Sequence, residues 1–400
     1  MNDPSRADRR PPVLVVGPIP PPFGGMARFV EQLLASDLCR DFDLRHFDTS
    51  FSAAVRSQSA NPGDERYRGK QGLARRYGYV LAGGSWSAVK TMCAGLGSVA
   101  AFVRRLFTER PGLVHVFANM HWGFWRAGVF VTLARLTGRQ VVFHPLGAIE
   151  KFHAASGWIG RRLISFCLDE ADIVVLQSPG LARQVSVFTR RPTRGVFNGI
   201  DLSPFAGLPR RDPYRADGGV RFVSVGDLGH NKGTWDILAA AGRAGTRLDA
   251  ASWTFIGRGD LAALDTRARQ AGVEDQVRFL GPVDDETKMT AYAEADLFLL
   301  PSHAEGQPLS ILEAMAAGLP IISTPVGSIA EVVGEDNGIL VPPGDVDRLC
   351  EAMLRLAGDP AMRARMSASN RAAAAERFDA RRLWREIGEI WEQLAASRTS

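Results

Sequence analysis

The chain has 400 residues, 46% hydrophobic and 23% charged, with 41 Gly, 23 Pro and 4 Cys. That length predicts two or three domains, each able to bury a core. The composition argues against a disordered chain, a collagen, a disulfide scaffold or a coiled coil. No membrane span is expected: the uncharged run Ala314–Ala330 is broken by Pro320 and Pro325, and the apolar run Tyr77–Val103 carries Lys90. The opening MNDPSRADRRPP has arginines with no apolar core behind them, so no secretory leader is expected and the cytoplasm is the expected address. Residues 1–200 hold 26 Lys and Arg against 14 Asp and Glu, a balance of +12; residues 201–400 hold 22 against 29, a balance of −7. A basic half favours anionic partners such as phosphate-bearing lipids or an anionic membrane surface. Nucleic acid is not expected, because the arginines are scattered and no recognised binding motif occurs. Cys39, Cys93, Cys167 and Cys350 form no CxxC pair and are expected as four buried thiols, not a zinc or redox site.

In chain order, PVLVV at Pro12–Val16 predicts a strand, GPIPPPFGG a turn, and MARFVEQLLASDL a helix with Phe29, Val30, Leu33 and Leu34 on one side. Short apolar runs at Leu113–Phe117, Gln140–Phe143, Asp172–Leu176 and Thr193–Phe197 alternate with helix-length segments, which predicts a parallel sheet covered by helices. The stretch from Asn198 to Asp217 is rich in Pro, Gly and charge and is expected to be the domain boundary. The rhythm then restarts, with strands expected at Val220–Val225, Ser252–Ile256, Gln276–Phe279, Leu297–Leu300, Pro320–Ser323 and Gly338–Val341. Alanine-rich 368–375 predicts a helix. The last segment, Ala380–Ala396, aligns Leu383, Trp384, Ile387, Ile390, Trp391 and Leu394 in a stripe that needs a partner surface. The expected division is an N-terminal domain over 1–198, a C-terminal domain over 199–379 and a returning helix over 380–400.

The strongest chemical signal is PSHAEGQPLSILEAMAAGLPIISTP at Pro301–Pro325. A buried strand ends in a polar loop that opens a short helix, with Pro308 in its first turn and Gly318 at its stop. Glu313 sits among Ile311, Leu312, Ala314, Met315 and Ala316. A carboxylate buried there without partners would cost several kcal/mol, so it faces a polar pocket or ligand hydroxyls, or it pairs with an arginine. Glu305 lies in the loop at the carboxyl end of the strand, where open α/β sheets bind ligands, and reads either as a ligand contact or as a solvated loop residue. The free N–H groups over Gly306–Ser310 suit an anion or sugar oxygens.

The paired glutamates of EGQPLSILE, followed by AMAAGLPIISTPVGSIAEVV, resemble the E-x7-E region of retaining nucleotide-sugar glycosyltransferases of the family 4 type. Supporting matches are the Gly24–Gly25 turn, FNGID at Phe197–Asp201, VGDLGHNKG at Val225–Gly233, FIGRGD at Phe255–Asp260, VRFLGPV at Val277–Val283 and NGILVPPGD at Asn337–Asp345. In the N-terminal half only the Gly-Gly turn and the neighbourhood of His144 match. The resemblance implies the GT-B fold, two Rossmann-like α/β domains facing each other across a cleft with a C-terminal helix returning to the first.

It also implies roles. Glu313 would bind the donor's ribose hydroxyls and Glu305 would face the transferred sugar. Gly306, Gln307, Pro308, Leu309 and Ser310 would hold sugar and diphosphate, Lys232 would neutralise the leaving diphosphate, and Gly24 and Gly25 would lie on the acceptor side. The chain departs from the family pattern at Asp227, where many members have arginine; an aspartate there must point away, or a cation such as Arg258 must make up the charge. His144, in His-Pro-Leu-Gly, reads either as a hydrogen-bond partner of sugar or acceptor or as a structural histidine. With no dedicated nucleophile in the motif, the implied mechanism is front-face displacement with retention, in which the leaving phosphate helps deprotonate the acceptor. The nucleotide-sugar, UDP first and GDP second, is substrate rather than cofactor. No metal is expected: the D-x-D at Asp345–Asp347 reads as a helix cap and that at Asp41–Asp43 as a turn. The implied product is a bacterial surface polysaccharide or glycoconjugate made on a glycan or lipid-linked acceptor. A catalytically inactive sugar-nucleotide-binding subunit and an epimerase or hydrolase are the alternatives. The polar, arginine-rich stretch Ser50–Arg76 reads as an acceptor-side loop. The run Met92–Phe107 is a candidate membrane contact, with Leu96, Val99, Phe102, Val103 and Leu106 in the interface and Arg104–Arg105 at lipid phosphates, or else a core helix.

Overall fold

The computed structural model describes residues 10–20, 25–50, 85–209, 212 and 219–397, with the helical backbone alone over 85–95. Gly24 and nearly all of Ser50–Arg76 lie outside the described residues. The chain divides into two compact units. Unit 1 takes Met1–Val175, Val185–Thr193 and Ile387–Ser400; unit 2 takes Leu176–Gln184 and Arg194–Glu386.

The first six-stranded sheet has the order β2-β1-β3-β4-β5-β6 and holds β1 (Pro12–Gly17), β2 (Asp43–Asp48), β3 (Leu113–Ala118), β4 (Gln140–Pro145), β5 (Ile173–Leu176) and β6 (Thr193–Gly195). Its inner strands are near-continuous apolar runs, because helices cover both faces of a parallel sheet. Strand β2 was not anticipated. Its sequence DLRHFD is polar because it pairs on one side only, with β1, and Arg45 and Asp43 close an ion pair at 2.6 Å along it.

In helix Ser85–Glu109 Phe102 and Leu106 follow the core-helix alternative, whereas Leu96 and Phe107 are exposed. Phe102 and Leu106 are fully buried, and the Phe102 ring packs against Phe130 at 4.8 Å and Phe47 at 5.3 Å. Arg105 is bonded to Glu109 and to the His46 carbonyl, so it is not available to a lipid phosphate. Cys39 is exposed, which corrects the expectation of four buried thiols; Cys167 and Cys350 are buried.

The second sheet has the order β12-β11-β10-β7-β8-β9. It holds β7 (Arg221–Val225), β8 (Ser252–Ile256), β9 (Val277–Gly281), β10 (Leu297–Leu300), β11 (Ile321–Ser323) and β12 (Gly338–Leu340). Its core stacks Phe222 on Trp253 at 5.3 Å. From β7 the chain builds outward through β8 and β9, then returns to lay β10 on the other side of β7. The boundary between β7 and β10 is thus a topological switch point, the place at which open α/β sheets bind ligands. In unit 1 the same reversal falls between β1 and β3.

The last helix, Ala380–Ser397, begins in unit 2 and ends in unit 1. Within unit 1 its Trp391 lies edge-on to Phe42 at 5.1 Å. Among the described residues no helix is long and apolar enough to cross a membrane.

Candidate active site

The loops that leave β7 and β10 meet at the switch point of unit 2. The first carries the 3-10 turn His230–Lys232, followed by Gly233 at φ +73°. A Cβ at Gly233 would fall 2.2 Å from the Pro301 carbonyl oxygen, so the left-handed glycine is what lets the two loops touch. The His303 N–H donates to the Asn231 carbonyl at 2.9 Å and stitches them together.

There Lys232 Nζ donates to Glu305 Oε1 at 2.5 Å, and Ser302 Oγ donates to the same oxygen at 2.8 Å. Glu305 is only 8% exposed, so it is not a solvated loop residue, and Lys232 is not a free loop lysine. A carboxylate at that depth needs a cation and a hydroxyl to offset its desolvation, and both are present. The loop is held from behind, since the Gly306 carbonyl accepts from both the N–H and the Oγ of Ser328, each at 2.9 Å. The N–H groups of Gly306, Gln307, Leu309 and Ser310 meet no acceptor among the described residues. They stand at the start of helix Leu309–Ala317, which Pro308 precedes and Gly318 ends in the left-handed conformation. This is a cradle suited to an anion.

Gln307 has a second task. Its side-chain oxygen accepts from the Asn198 N–H at 2.6 Å and its carbonyl from Asn198 Nδ2 at 3.1 Å, which fixes the loop to the FNGID segment. Glu313 pairs not with an arginine but with helix Asp285–Glu294: Lys288 Nζ donates to Oε1 and the Tyr292 hydroxyl to Oε2, each at 2.9 Å. Burial first, and the Glu313 charge second, push the Tyr292 hydroxyl well above its usual pKa, so it stays a donor. Arg258 and Asp227 face each other at 3.4 Å, both more than half exposed. The aspartate's charge is therefore met by the arginine. The Leu228 N–H, donating to the Arg258 carbonyl at 2.6 Å, aligns the two loops that carry the pair. Beside them His303 Nε2 meets Asp236 Oδ2 at 2.7 Å while its ring stacks on His230 at 4.4 Å. Asp345 caps helix Val346–Gly358 by accepting from the Arg348 N–H at 3.0 Å, as its spacing predicted.

In unit 1, Gly25 opens helix Gly25–Leu34 and has no neighbour within 4 Å of where a Cβ would stand. His144 ends β4 as expected, but its imidazole is fully buried among the rings of Phe29, Phe117 and His115. At the carboxyl end of β3, His121 holds φ +58° and ψ −123°, a conformation that costs a non-glycine residue about 1–3 kcal/mol. No local sequence pattern signals it. Lys288 and Tyr292 were also missed, although their i, i+4 spacing on a short helix was legible.

Residues 219–359 match the sequence family described as Glycosyl transferases group 1. Over 264 residues the chain is 31% identical to a glycogen synthase of Mycobacterium tuberculosis, covering 63% of this chain and 59% of that one. Over 172 residues it is 35% identical to a phosphatidyl-myo-inositol mannosyltransferase of Mycolicibacterium smegmatis, covering 42% and 43%. The chain thus spans less than two thirds of these curated relatives. Among solved structures, the sucrose-phosphate synthase of Thermosynechococcus elongatus aligns over 97% of this chain and all of its own at 20% identity, with a TM-score of 0.76. Anabaena HepE in complex with UDP-glucose aligns over 96% and 99% at 18% identity, with a TM-score of 0.70. With two parallel six-stranded α/β sheets the chain has the GT-B fold of these structures, and its residues 219–359 match the glycosyl transferases group 1 family.

Proposed function

We propose that the protein is a retaining hexosyltransferase that moves a sugar from a nucleotide-diphosphate sugar to a glycan or lipid-linked acceptor in bacterial surface polysaccharide or glycoconjugate assembly. The observation that carries this reading is the Lys232–Glu305 pair beneath the unclaimed N–H groups of Gly306–Ser310. A diphosphate entering the crevice competes for Lys232. As the ammonium turns to the phosphate, Glu305 is released toward the transferred sugar, where its charge favours an oxocarbenium-like centre. Lys232 and the helix start then stabilise the leaving diphosphate, which supports a reaction without metal. Glu313, held by Lys288 and Tyr292, keeps lone pairs for the ribose hydroxyls. UDP-sugars are the first choice of donor, because HepE is described in complex with UDP and UDP-glucose, and GDP-sugars the second.

The acceptor would be met at an anionic membrane surface on the cytoplasmic side. Helix Trp158–Asp169 supports such a contact better than 92–107, where Phe102 and Leu106 are buried. Trp158 (74%), Ile159 (56%), Leu163 (49%) and Phe166 (51%) are exposed along one side of it, with Arg162 among them and Arg161 beside them. Apolar side chains flanked by arginines suit the boundary between acyl chains and phosphates.

A panel of nucleotide-sugars tested for thermal stabilisation and for acceptor-dependent transfer, with the anomeric configuration of the product read by NMR, checks the reading. A donor that stabilises the protein but is never transferred or hydrolysed would favour the inactive binding subunit, and acceptor-independent turnover would favour an epimerase or hydrolase.

A further inference from the structure

We propose that Trp391 and His115 fix the tautomer of His144, so that His144 Nε2 is presented as a hydrogen-bond donor to an oxygen of the substrate. The substrate role of His144 rests on the function proposed above; the tautomer does not.

The hydrogen-bond chain runs in one direction, because an indole can only donate. Trp391 Nε1–H points at His115 Nδ1, 3.1 Å away, so Nδ1 is the acceptor and a neutral His115 carries its proton on Nε2. His115 Nε2 lies 3.3 Å from His144 Nδ1 and donates to it, so the His144 proton is on Nε2. All three side chains are buried within unit 1. The rings are held in place: Phe117 stacks on His115 at 4.3 Å, and Phe29 meets His144 edge-on at 5.6 Å. Burial pushes His144 to about 3 and holds His115 well below the usual imidazole value, so near neutrality neither takes a second proton that would undo the direction.

The relay ends on an atom with nothing to bond. His144 Nε2 is buried and has no partner among the described residues. Leaving a buried donor unmade costs on the order of 1–3 kcal/mol, and an apolar residue would avoid that cost in a purely structural core. A donor held ready for a sugar hydroxyl or phosphoryl oxygen accounts for it. A consequence follows for chemistry: Nε2 already carries a proton, so His144 orients or polarises an oxygen and cannot act there as a base. Trp391 and His115 are positioning residues.

The test uses the full chain with 15N-labelled histidine. Long-range proton–nitrogen ring correlations report each tautomer, and His144→Asn identifies the His144 pattern by its loss. The wild type is expected to show Nε2–H at both His115 and His144. Trp391→Phe, which keeps a ring but removes the donor, should let a second tautomer appear at His115 and then at His144, and turnover should fall severalfold with the KM for donor little changed. His115→Phe should free His144 with Trp391 intact. An Nδ1–H tautomer at His144 in the wild type, which needs no variant to fold, would overturn the proposal, as would unchanged tautomers in Trp391→Phe. Unchanged turnover in a variant whose His144 tautomer has become mixed would overturn the positioning role. If the wild type shows both expected tautomers yet transfers no sugar, the functional reading fails and the relay stands.

Discussion

The two units handle polarity in opposite ways. Unit 2 keeps its large apolar side chains covered and places charges in pairs at the end of its sheet: Lys232 with Glu305, Lys288 with Glu313, His303 beside Asp236. Unit 1 does the reverse. The exposed large apolar side chains among the described residues, from Leu96 to Val187, all belong to it, and its interior holds two neutral imidazoles with no counter-ion beside them. A surface of that kind costs solubility and is retained where something covers it. Paired charges around free backbone donors fit a small anionic ligand instead. Under the proposed function, the contrast fits recognition of the donor by unit 2 and contact with a larger, less water-soluble partner by unit 1, and each half of that proposal can be broken separately.

The largest expected effect is on the surface of unit 1. Leu163→Asp with Phe166→Asp should lower partitioning onto anionic vesicles about a hundredfold, at roughly 1.5 kcal/mol for each apolar side chain no longer inserted. Wild-type binding of the native chain should also weaken as salt rises. Co-sedimentation reads both, and a double variant that binds like the native chain would remove lipid as the partner.

The next effect is acid sensitivity inside unit 1. A histidine whose folded pKa lies below its unfolded value contributes stability that is fully present above pH 6.5 and is lost as pH falls toward the folded value, about 3 for His144. Between pH 6.5 and pH 5 that single group should cost about 2 kcal/mol. Denaturant unfolding at stepped pH should show the slope, and His144→Asn should flatten it. An equal slope in the variant would place the acid-sensitive groups elsewhere.

Unit 2 is probed by its charges. Lys232→Ala and Glu313→Ala should each weaken donor binding or turnover at least tenfold, measurable by titration calorimetry and initial rates. Glu305→Ala should have the narrowest signature, lowering kcat more than it raises the KM for donor, since its charge matters most as positive charge develops on the sugar. If all three variants match the wild type, the crevice between β7 and β10 is not where the donor acts.

Much of unit 2 was legible in advance because its strands are unbroken apolar runs between glycine turns, and because Glu305 and Glu313 stand out against Ala, Leu and Ile. Strand β2 was hidden by its polarity, which only its edge position explains. The apolar periodicity of 92–107 was real, but periodicity shows that a helix has an apolar face, not what covers it; Phe102 and Leu106 turned inward, while helix Trp158–Asp169 leaves four large apolar side chains exposed. Trp391 was visible as a member of a stripe. Its N–H bond to His115 spans 276 residues and leaves no trace in any local pattern.

The Lys232–Glu305 pair joins residues 73 apart, and the Glu305 loop is anchored a further 22 residues on, through Ser328 and Gly306. Contacts of that sequence separation must close long loops before they return any energy, so they form slowly compared with the helices around them. A chain emerging from the ribosome would therefore complete β7, β8 and β9 with Lys232 still unpaired. It would close the Lys232–Glu305 pair and its anchor only after β10 had docked beside β7 and β11 beside β10, which under the proposed function makes donor affinity a reporter of the last folding events in unit 2 rather than the first.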